Sequence, residues 1–362
     1  MTSPHRRRSA RTLARVATIL PVLALLPAAA GRGADPPPRS VAWSMRTMGT
    51  YANVTIVTAD SAAAAPLAML AQRTLARVDS LMSNWTTTSE VARLNREAGA
   101  ATVRIQPEVA RVLDRSLSTW RATGGAFDIT VEPLVRLWGF LGGPRRVPSA
   151  AEIDSVLPRV GARHVQFDRS AGTLRYDRSD VRIDLGGIAK GYGVEAAADS
   201  FAAHGVRDAL IDLSGNMHAF GHPPGAPYWR IGIRDPHDKL AYFARLALSN
   251  QSISTSGQYE QFIAADGRTY GHILDPQTGW PVQGLISVTV VAASAFDTDA
   301  WDTPLFVMGP ARARALAKAN DSFGAILVSP GAGVDTVWVE EALRDRFELI
   351  PEAQSRFVVR WF

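Results

Sequence analysis

The sequence predicts an α+β fold, and three observations carry that expectation. Strand-like runs of alternating apolar residues recur from residue 51 to the C-terminus, and helical apolar periodicity is confined to a few longer spans. The two kinds of segment are interspersed without the regular alternation that a doubly wound parallel sheet requires. With 362 residues, 46% hydrophobic and 20% charged, the chain can bury a substantial core in one large domain or two modest ones. No internal repeat or low-complexity tract interrupts it beyond the N-terminal region.

The first thirty residues read differently. MTSPHRRRSARTLAR carries five arginines and no acid, and ATILPVLALLPAAA follows as an apolar run ending in small residues. This is the pattern of a signal peptide over 1–30, with Ala28 and Ala30 satisfying the small-x-small cleavage rule. The apolar part is shorter than the roughly 20 residues a spanning helix needs. The apolar residues that usually follow a twin-arginine pair are missing. Without the five leader arginines the formal charge of +5 falls close to zero, so no basic nucleic-acid surface is expected. Cysteine is absent, which excludes disulfides, thiolate metal sites, thiol nucleophiles and a lipid-modified cysteine. The expected product is a soluble periplasmic or secreted protein that is not a lipoprotein. Residues 31–45, with GADPPPRS, read as a tether, and 46–362 as the folded domain.

Taken in order, YANVTIVTA alternates as a strand, and Ala62 to Met82 has helical spacing. A second helix starts near Ser89, a short strand lies around Val103, and a third helix runs from Glu108 to Thr123. GGPRRVPSAAEID is a connecting loop with a helix start at Ser149, which puts the weakest point of the chain, a possible subdomain hinge, near 141–150. A strand at Val165 and a hairpin through Thr173 and Val181 follow, the latter strand ending at Leu185. Then come a helix from Ile188 to Ala203 and a strand from Ala209 to Leu213. NMHAFG, WRIGIR, YFARLAL, SISTS and GLISVTVVAA read as strands, and Ala300 to Leu316 as a helix broken at Gly309-Pro310. GAILV, TVWVE and FVVRWF return to strands.

Three constellations carry candidate chemistry. In RIDLGGIAKGYGVEAAAD the Gly186-Gly187 turn lets backbone approach a ligand, and the helix that follows aims free N–H groups and its positive dipole end at it. Lys190 adds a mobile charge, and Asp184 could accept hydrogen bonds from a ring edge. The same residues also suit a tight strand-to-helix connection with Asp184 as cap and Lys190 solvated. Gly191-Tyr-Gly193-Val-Glu-Ala196 formally matches G-x-G-x-x-A, but its glycines fall inside the helix instead of at its mouth, where a dinucleotide fingerprint makes its turn. A Walker loop fails because the lysine precedes its glycine.

In Asp297-Thr-Asp299-Ala-Trp-Asp302-Thr303, helical spacing puts two carboxylates and a hydroxyl on one face. Like charges so placed repel unless a cation lies between them, and oxygen-only ligands suit Mg²⁺. Acids complementing a helix dipole give the same pattern. The third constellation runs from Ser254-Thr-Ser-Gly257 to His272-Ile-Leu-Asp275-Pro-Gln-Thr-Gly279, a strand histidine before a turn. Ser256 lacks a nucleophile-elbow context, so a hydrolase triad is not supported.

The ordered set of segments resembles the ApbE family of FAD:protein FMN transferases. Met48-Gly-Thr50, Ser83 to Asn95, Ala126-Phe-Asp-Ile-Thr130, Leu137-Trp-Gly-Phe140, Asp184 to Gly191, Ala209 to Gly215, Trp229 to Pro236, Thr255-Ser-Gly257, His272 to Gly279 and Ser287 to Gly309 keep the family's order over nearly all of 46–310. Ser214-Gly-Asn stands where Gly-Gly-Asn is common, and 311–362 carry no recognised motif. The resemblance implies T-fold-like mixed sheets with packed helices and an FAD site in a cleft between subdomains. It implies a Mg²⁺-dependent enzyme moving the FMN half of FAD to a Thr or Ser hydroxyl of an acceptor flavoprotein, a subunit or domain of a membrane redox complex, with release of AMP. By motif position Met48, Trp85, Ala126, Phe127, Asp128, Asp184, Lys190 and Leu274 become FAD contacts. Gly187, through its carbonyl, with Asp299, Asp302 and Thr303 becomes the Mg²⁺ set. A base is needed for the acceptor hydroxyl, and His272, with its ordinary pKa near neutrality, is the candidate. An FAD pyrophosphatase and a non-catalytic FAD-binding or storage protein remain alternatives.

Overall fold

The computed structural model describes residues 37–362. The signal peptide and the first part of the tether lie outside the described residues. Along the chain come β1 (Arg39–Thr47), β2 (Thr50–Thr58), α1 (Ser61–Met82), α2 (Glu90–Glu97), β3 (Val103–Arg104), α3 (Pro107–Ala122), α4 (Glu132–Leu137) and α5 (Ala150–Val156). β4 (Val165–Asp168), β5 (Thr173–Tyr176), α6 (Ala189–Ala203), β6 (Ala209–Leu213), β7 (Asn216–Phe220), β8 (Trp229–Arg234), β9 (Tyr242–Leu248) and β10 (Gln251–Gly257) follow. The chain ends with β11 (Phe262–Ala265), β12 (Arg268–Gly271), β13 (Ser287–Ala292), α7 (Ala295–Lys318), β14 (Phe323–Ser329), β15 (Asp335–Val339), β16 (Phe347–Leu349) and β17 (Phe357–Trp361).

Nine strands form one sheet in the order β1-β2-β6-β7-β10-β13-β14-β15-β17, antiparallel except for the parallel β15–β17 pair. Three smaller sheets, β16-β9-β8, β3-β5-β4 and β11-β12, complete an α+β architecture. Helices α1, α6 and α7 cover one face of the large sheet, and the β16-β9-β8 sheet covers the other. Period-two alternation explains how the middle strands serve both layers. Val288 and Val290 of β13 and Ala325 and Leu327 of β14 pack towards α7, whereas Val291, Ile326 and Val328 pack against Trp229, Ile231 and Phe243 of the smaller sheet.

Helix starts follow the capping chemistry of the sequence. The Ser89 hydroxyl accepts from the Ala92 amide, Ser149 and Glu152 form a reciprocal capping box, and Ser294 opens α7 by accepting from the Asp297 amide. α7 therefore begins five residues before the expected Ala300 and bends at Gly309, where φ is 73°.

Two further expectations change. β1 starts inside the segment read as a tether, because Val41, Trp43 and Met45 alternate and turn Trp43 and Met45 into the core beneath α1. Val181, Ile183 and Leu185 are buried in alternation, yet 181–185 is not a strand. Side-chain amides replace the ladder: Asn84 and Asn95 both donate to the Ile183 carbonyl at 2.9 Å, and the Ile183 amide donates to Asn95 Oδ1 at 2.8 Å. At 141–150 the core is continuous, since Trp138 and Phe140 before it and Ile153 and Val156 after it share one cluster.

Candidate active site

The acidic helix start is buried. Asp299 and Asp302 retain 3% and 1% of their exposure, a placement carboxylates rarely take unless they are paired. Each has one oxygen anchored by neighbouring elements. Asp299 Oδ2 accepts the Gly191 amide of α6 at 2.7 Å, and its Oδ1 lies 4.0 Å from Lys190 Nζ. Asp302 Oδ2 accepts from the Ser254 hydroxyl at 2.5 Å, and Asp302 Oδ1 accepts from Thr303 Oγ1 at 3.1 Å. Burial, reinforced by the charge of Asp299, pushes the Asp302 carboxyl above the usual carboxylate range, while Ser254 and Lys190 pull it back.

Gly187 faces this helix. A Cβ built on it would lie 3.5 Å from the Phe127 ring and 3.9 Å from Thr303 Oγ1, so the glycine turn, Phe127 and the end of the acidic cluster line one space. Asp184 sits at the entrance of the turn, its Oδ1 accepting the Gly186 amide at 2.7 Å. Burial raises the Asp184 pKa, opposed by that bond, by Asn84 and by the charge of Lys190. Lys190 itself folds back to the Gly186 carbonyl at 3.4 Å. Gly187, Thr303 and the two aspartates form an all-oxygen set, and two buried like charges with one lysine beside them have the donor chemistry Mg²⁺ takes. Among the described residues no group of three or more carboxylate or imidazole side chains converges in that way. A cation held here would therefore need hydroxyl and backbone oxygens besides the two carboxylates.

The other expected contacts are placed as follows. Met48 occupies the β1–β2 turn at φ 48°, its amide donating to Asp79 Oδ2 at 3.3 Å, and its sulfur packs towards Gly193 of α6. Ala126 and Phe127 are buried, and Leu274 is bridged to Pro281. The Asp128 carboxylate is spent within the protein: Oδ1 accepts from the Thr130 amide and hydroxyl, and Oδ2 from the Ala162 amide. The Ala126 and Phe127 amides are likewise spent, donating to the Thr123 carbonyl and hydroxyl. An open pocket of about 520 Å³ beside Asp128 runs between Trp120, Gly125, Gly161 and Gln277 and does not reach the acidic pair. Trp85 stands 71% exposed.

His272 is half-buried beyond the end of β12, its Nδ1 3.2 Å from the Gln261 carbonyl and its ring edge-on to Phe140. The expectation of an ordinary pKa is corrected. Burial pushes it down to about 4, against the Gln261 bond and with help from the charges of Lys190 and Arg145. The charge of Lys190 acts on Asp184, Asp302 and His272 alike.

Sequence reading missed the supports. Ser254 and Ser256 of β10 point to α7, and Ser256 Oγ lies 3.0 Å from Thr303 Oγ1. The signal was present in SISTSG: Ile253 packs to the smaller sheet, so the serines occupy positions that face the helices. Asn84 and Asn95 gave no signal, because they act on a backbone about ninety residues away.

A glycine turn, a lysine and a buried acid pair on an α+β scaffold have the chemistry that a divalent cation with an anionic ligand requires. The ApbE family model matches residues 48–327, and the chain belongs to that family. It is 33% identical over 307 residues to the FAD:protein FMN transferase of Klebsiella pneumoniae, covering 83% of this chain and 87% of that one. Its identity to the FAD:protein FMN transferase of Salmonella typhimurium is 33% over 299 residues, covering 80% and 85%. The solved flavin transferase ApbE from Vibrio cholerae superposes with a TM-score of 0.78 at 30% identity, covering 86% of this chain and 100% of that one.

Proposed function

We propose that this protein is a Mg²⁺-dependent FAD:protein FMN transferase that moves FMN from FAD to a Thr or Ser hydroxyl of an acceptor flavoprotein and releases AMP. The observation that carries the proposal is the apposition of the Gly186-Gly187 turn and Lys190 to Asp299, Asp302 and Thr303, in a chain whose relatives bear that name.

In the reaction the acceptor oxygen forms a bond to the FMN phosphorus, the pyrophosphate P–O bond breaks, and AMP departs with the bridging oxygen. When bound, Mg²⁺ supplies charge neutralisation on the pyrophosphate oxygens. Asp299, Asp302, Thr303 and the Gly187 carbonyl hold it. Lys190 neutralises the remaining charge, and the α6 N-terminus adds its dipole. Met48, Trp85, Ala126, Phe127, Asp128, Asp184 and Leu274 position FAD. His272 takes the hydroxyl proton. With a pKa near 4 it is unprotonated throughout the neutral range, the form a base must have, though burial also makes it less basic. Among the described residues no helix is long and apolar enough to cross a membrane, and the arginine-rich leader supports a periplasmic or secreted location. Exported flavin-carrying domains of membrane redox complexes are the acceptors that location favours.

The test incubates the protein with FAD and Mg²⁺, with and without a Thr-containing acceptor domain, and follows AMP and acceptor-bound flavin fluorescence. Labelled acceptor with AMP supports transfer. AMP without label points to a pyrophosphatase, and neither product to FAD binding or storage. His272→Asn should stop labelling while FAD still binds; full transfer rates between pH 6 and 8 would remove the histidine from the mechanism.

A further inference from the structure

The α6–α7 crossing holds more than the residues assigned above. At Gly191 the helices meet backbone to side-chain root: an added Cβ would lie 2.3 Å from Asp299 Cβ and 2.4 Å from the Ala295 carbonyl oxygen. One turn further along α6, Glu195 reaches across. Its Oε2 accepts the Ala295 amide at 2.8 Å and lies 3.5 Å from the Phe296 amide, the first two N–H groups of α7. Ser294 already serves the next amides of that end, its hydroxyl accepting from Asp297 and its carbonyl from Thr298. The carboxylate of Glu195 therefore does not duplicate the local cap. It ties α7 to a second helix, four residues from the Gly191–Asp299 hydrogen bond on α6 and four residues from Asp299 on α7.

Two contacts one turn apart fix what one contact leaves free. β10, β13 and β14 seat α7 on the sheet, and the second bond at Glu195 fixes its register along α6, which the Gly191 bond alone does not set. Gly187 precedes α6, and Asp299, Asp302 and Thr303 ride on α7. The register of these helices is thus the distance between the two halves of the all-oxygen set. We infer that Glu195 is a positioning residue for the metal site, setting by its reach the spacing between the Gly187 carbonyl and the Asp299, Asp302 and Thr303 oxygens. The inference rests on the reading of that set as the Mg²⁺ site.

The test uses the whole protein without an acceptor, so that no turnover is needed. FAD binding is followed by fluorescence polarisation while Mg²⁺ is titrated into the parent, Glu195→Gln, Glu195→Asp and Glu195→Ala. The amide of Gln keeps an oxygen at the same reach. Asp keeps the charge but is one methylene too short. Reach as the cause predicts that Asp and Ala raise the half-saturating Mg²⁺ about tenfold and that Gln stays within about threefold of the parent. With an acceptor and saturating Mg²⁺, transfer by the Asp variant should return to within about threefold of the parent, because the clamp sets the occupied population and not the chemical step. Rescue by Asp and not by Gln would show that charge matters instead of reach, and would overturn the inference. Parent-like Mg²⁺ dependence in the Asp variant would overturn it too. Should Ala fail to fold, the Gln and Asp pair still decides. Absence of Mg²⁺-dependent FAD binding in the parent would instead defeat the assignment of the site itself.

Discussion

The two walls of the site are built on opposite terms. In the α6–α7 wall, polar atoms are buried and anchored: Gly191 holds Asp299, Ser254 holds Asp302, Ser256 reaches Thr303 and Glu195 holds the helix start. Trp85 and Met48, two of the expected FAD contacts, are looser, with a largely exposed indole and a glycine-flanked turn. Charge is expensive to move in a low-dielectric site, so its partners are placed in advance. Ring contact depends on area and tolerates adjustment when the ligand arrives. The first wall carries stored repulsion, and the second carries almost none.

The comparison breaks most sharply at Asp302. Asp302→Asn should lower FMN transfer by about 10²–10³-fold, the size of effect seen when one stabilising group is lost from a charged transition state. In metal-free buffer the same variant should gain about 1 kcal/mol against urea, because one of two repelling buried carboxylates is gone while its amide oxygen still accepts from Ser254. A urea midpoint below that of the parent would show that the pair is not strained.

Gly191→Ala comes next. Its methyl group must push the two helices apart, at a cost of roughly 1–3 kcal/mol, with transfer falling about 10²-fold through misplacement of Asp299. Gly193→Ala on the same helix meets Leu75 Cδ2 at 3.1 Å and should cost less, which thermal unfolding of the two variants would compare directly.

On the open wall, Trp85→Ala should leave stability within about 0.5 kcal/mol of the parent. FAD binding, read by fluorescence polarisation, should weaken about tenfold. A large loss of stability would mean that the indole is structural.

Acid sensitivity separates the two walls in another way. Burial lowers His218, whose Nδ1 lies 2.8 Å from Ser252 Oγ, and His272 to about 4 each. Between that value and about 6.5 each of these imidazoles refuses a proton that its unfolded counterpart binds, so the stability they carry is full at neutral pH and falls as pH drops below about 6.5, while the raised Asp302 carboxyl works in the opposite sense. Each histidine contributes on the order of 1 kcal/mol per pH unit in that window, and urea midpoints from pH 7.5 to 5 measure it. His218→Asn should remove the share of that slope that His218 carries.

The contrast also explains what could be read in advance. Asp299, Asp302 and Thr303 follow from helical spacing, and the Gly186-Gly187 turn from composition, because both patterns are local. Their supports are not. Glu195 acts on an amide about a hundred residues away, and the Asn84 and Asn95 amides stand in for a strand partner that Ile183 lacks. Alternation in SISTSG was visible, but which face met the core depended on which layer each face met. β1 was hidden by the prolines before it, although Val41, Trp43 and Met45 keep a strand's period.

The hydrogen bond from Gly191 to Asp299 spans 108 positions of chain. Two strand layers and the return of α7 must be in place before it can close, and contacts of such long range form late. A polypeptide folded only in part thus lacks the anchored acid pair. The ligand should leave the refolding rate unchanged and act instead by slowing the opening of the finished protein.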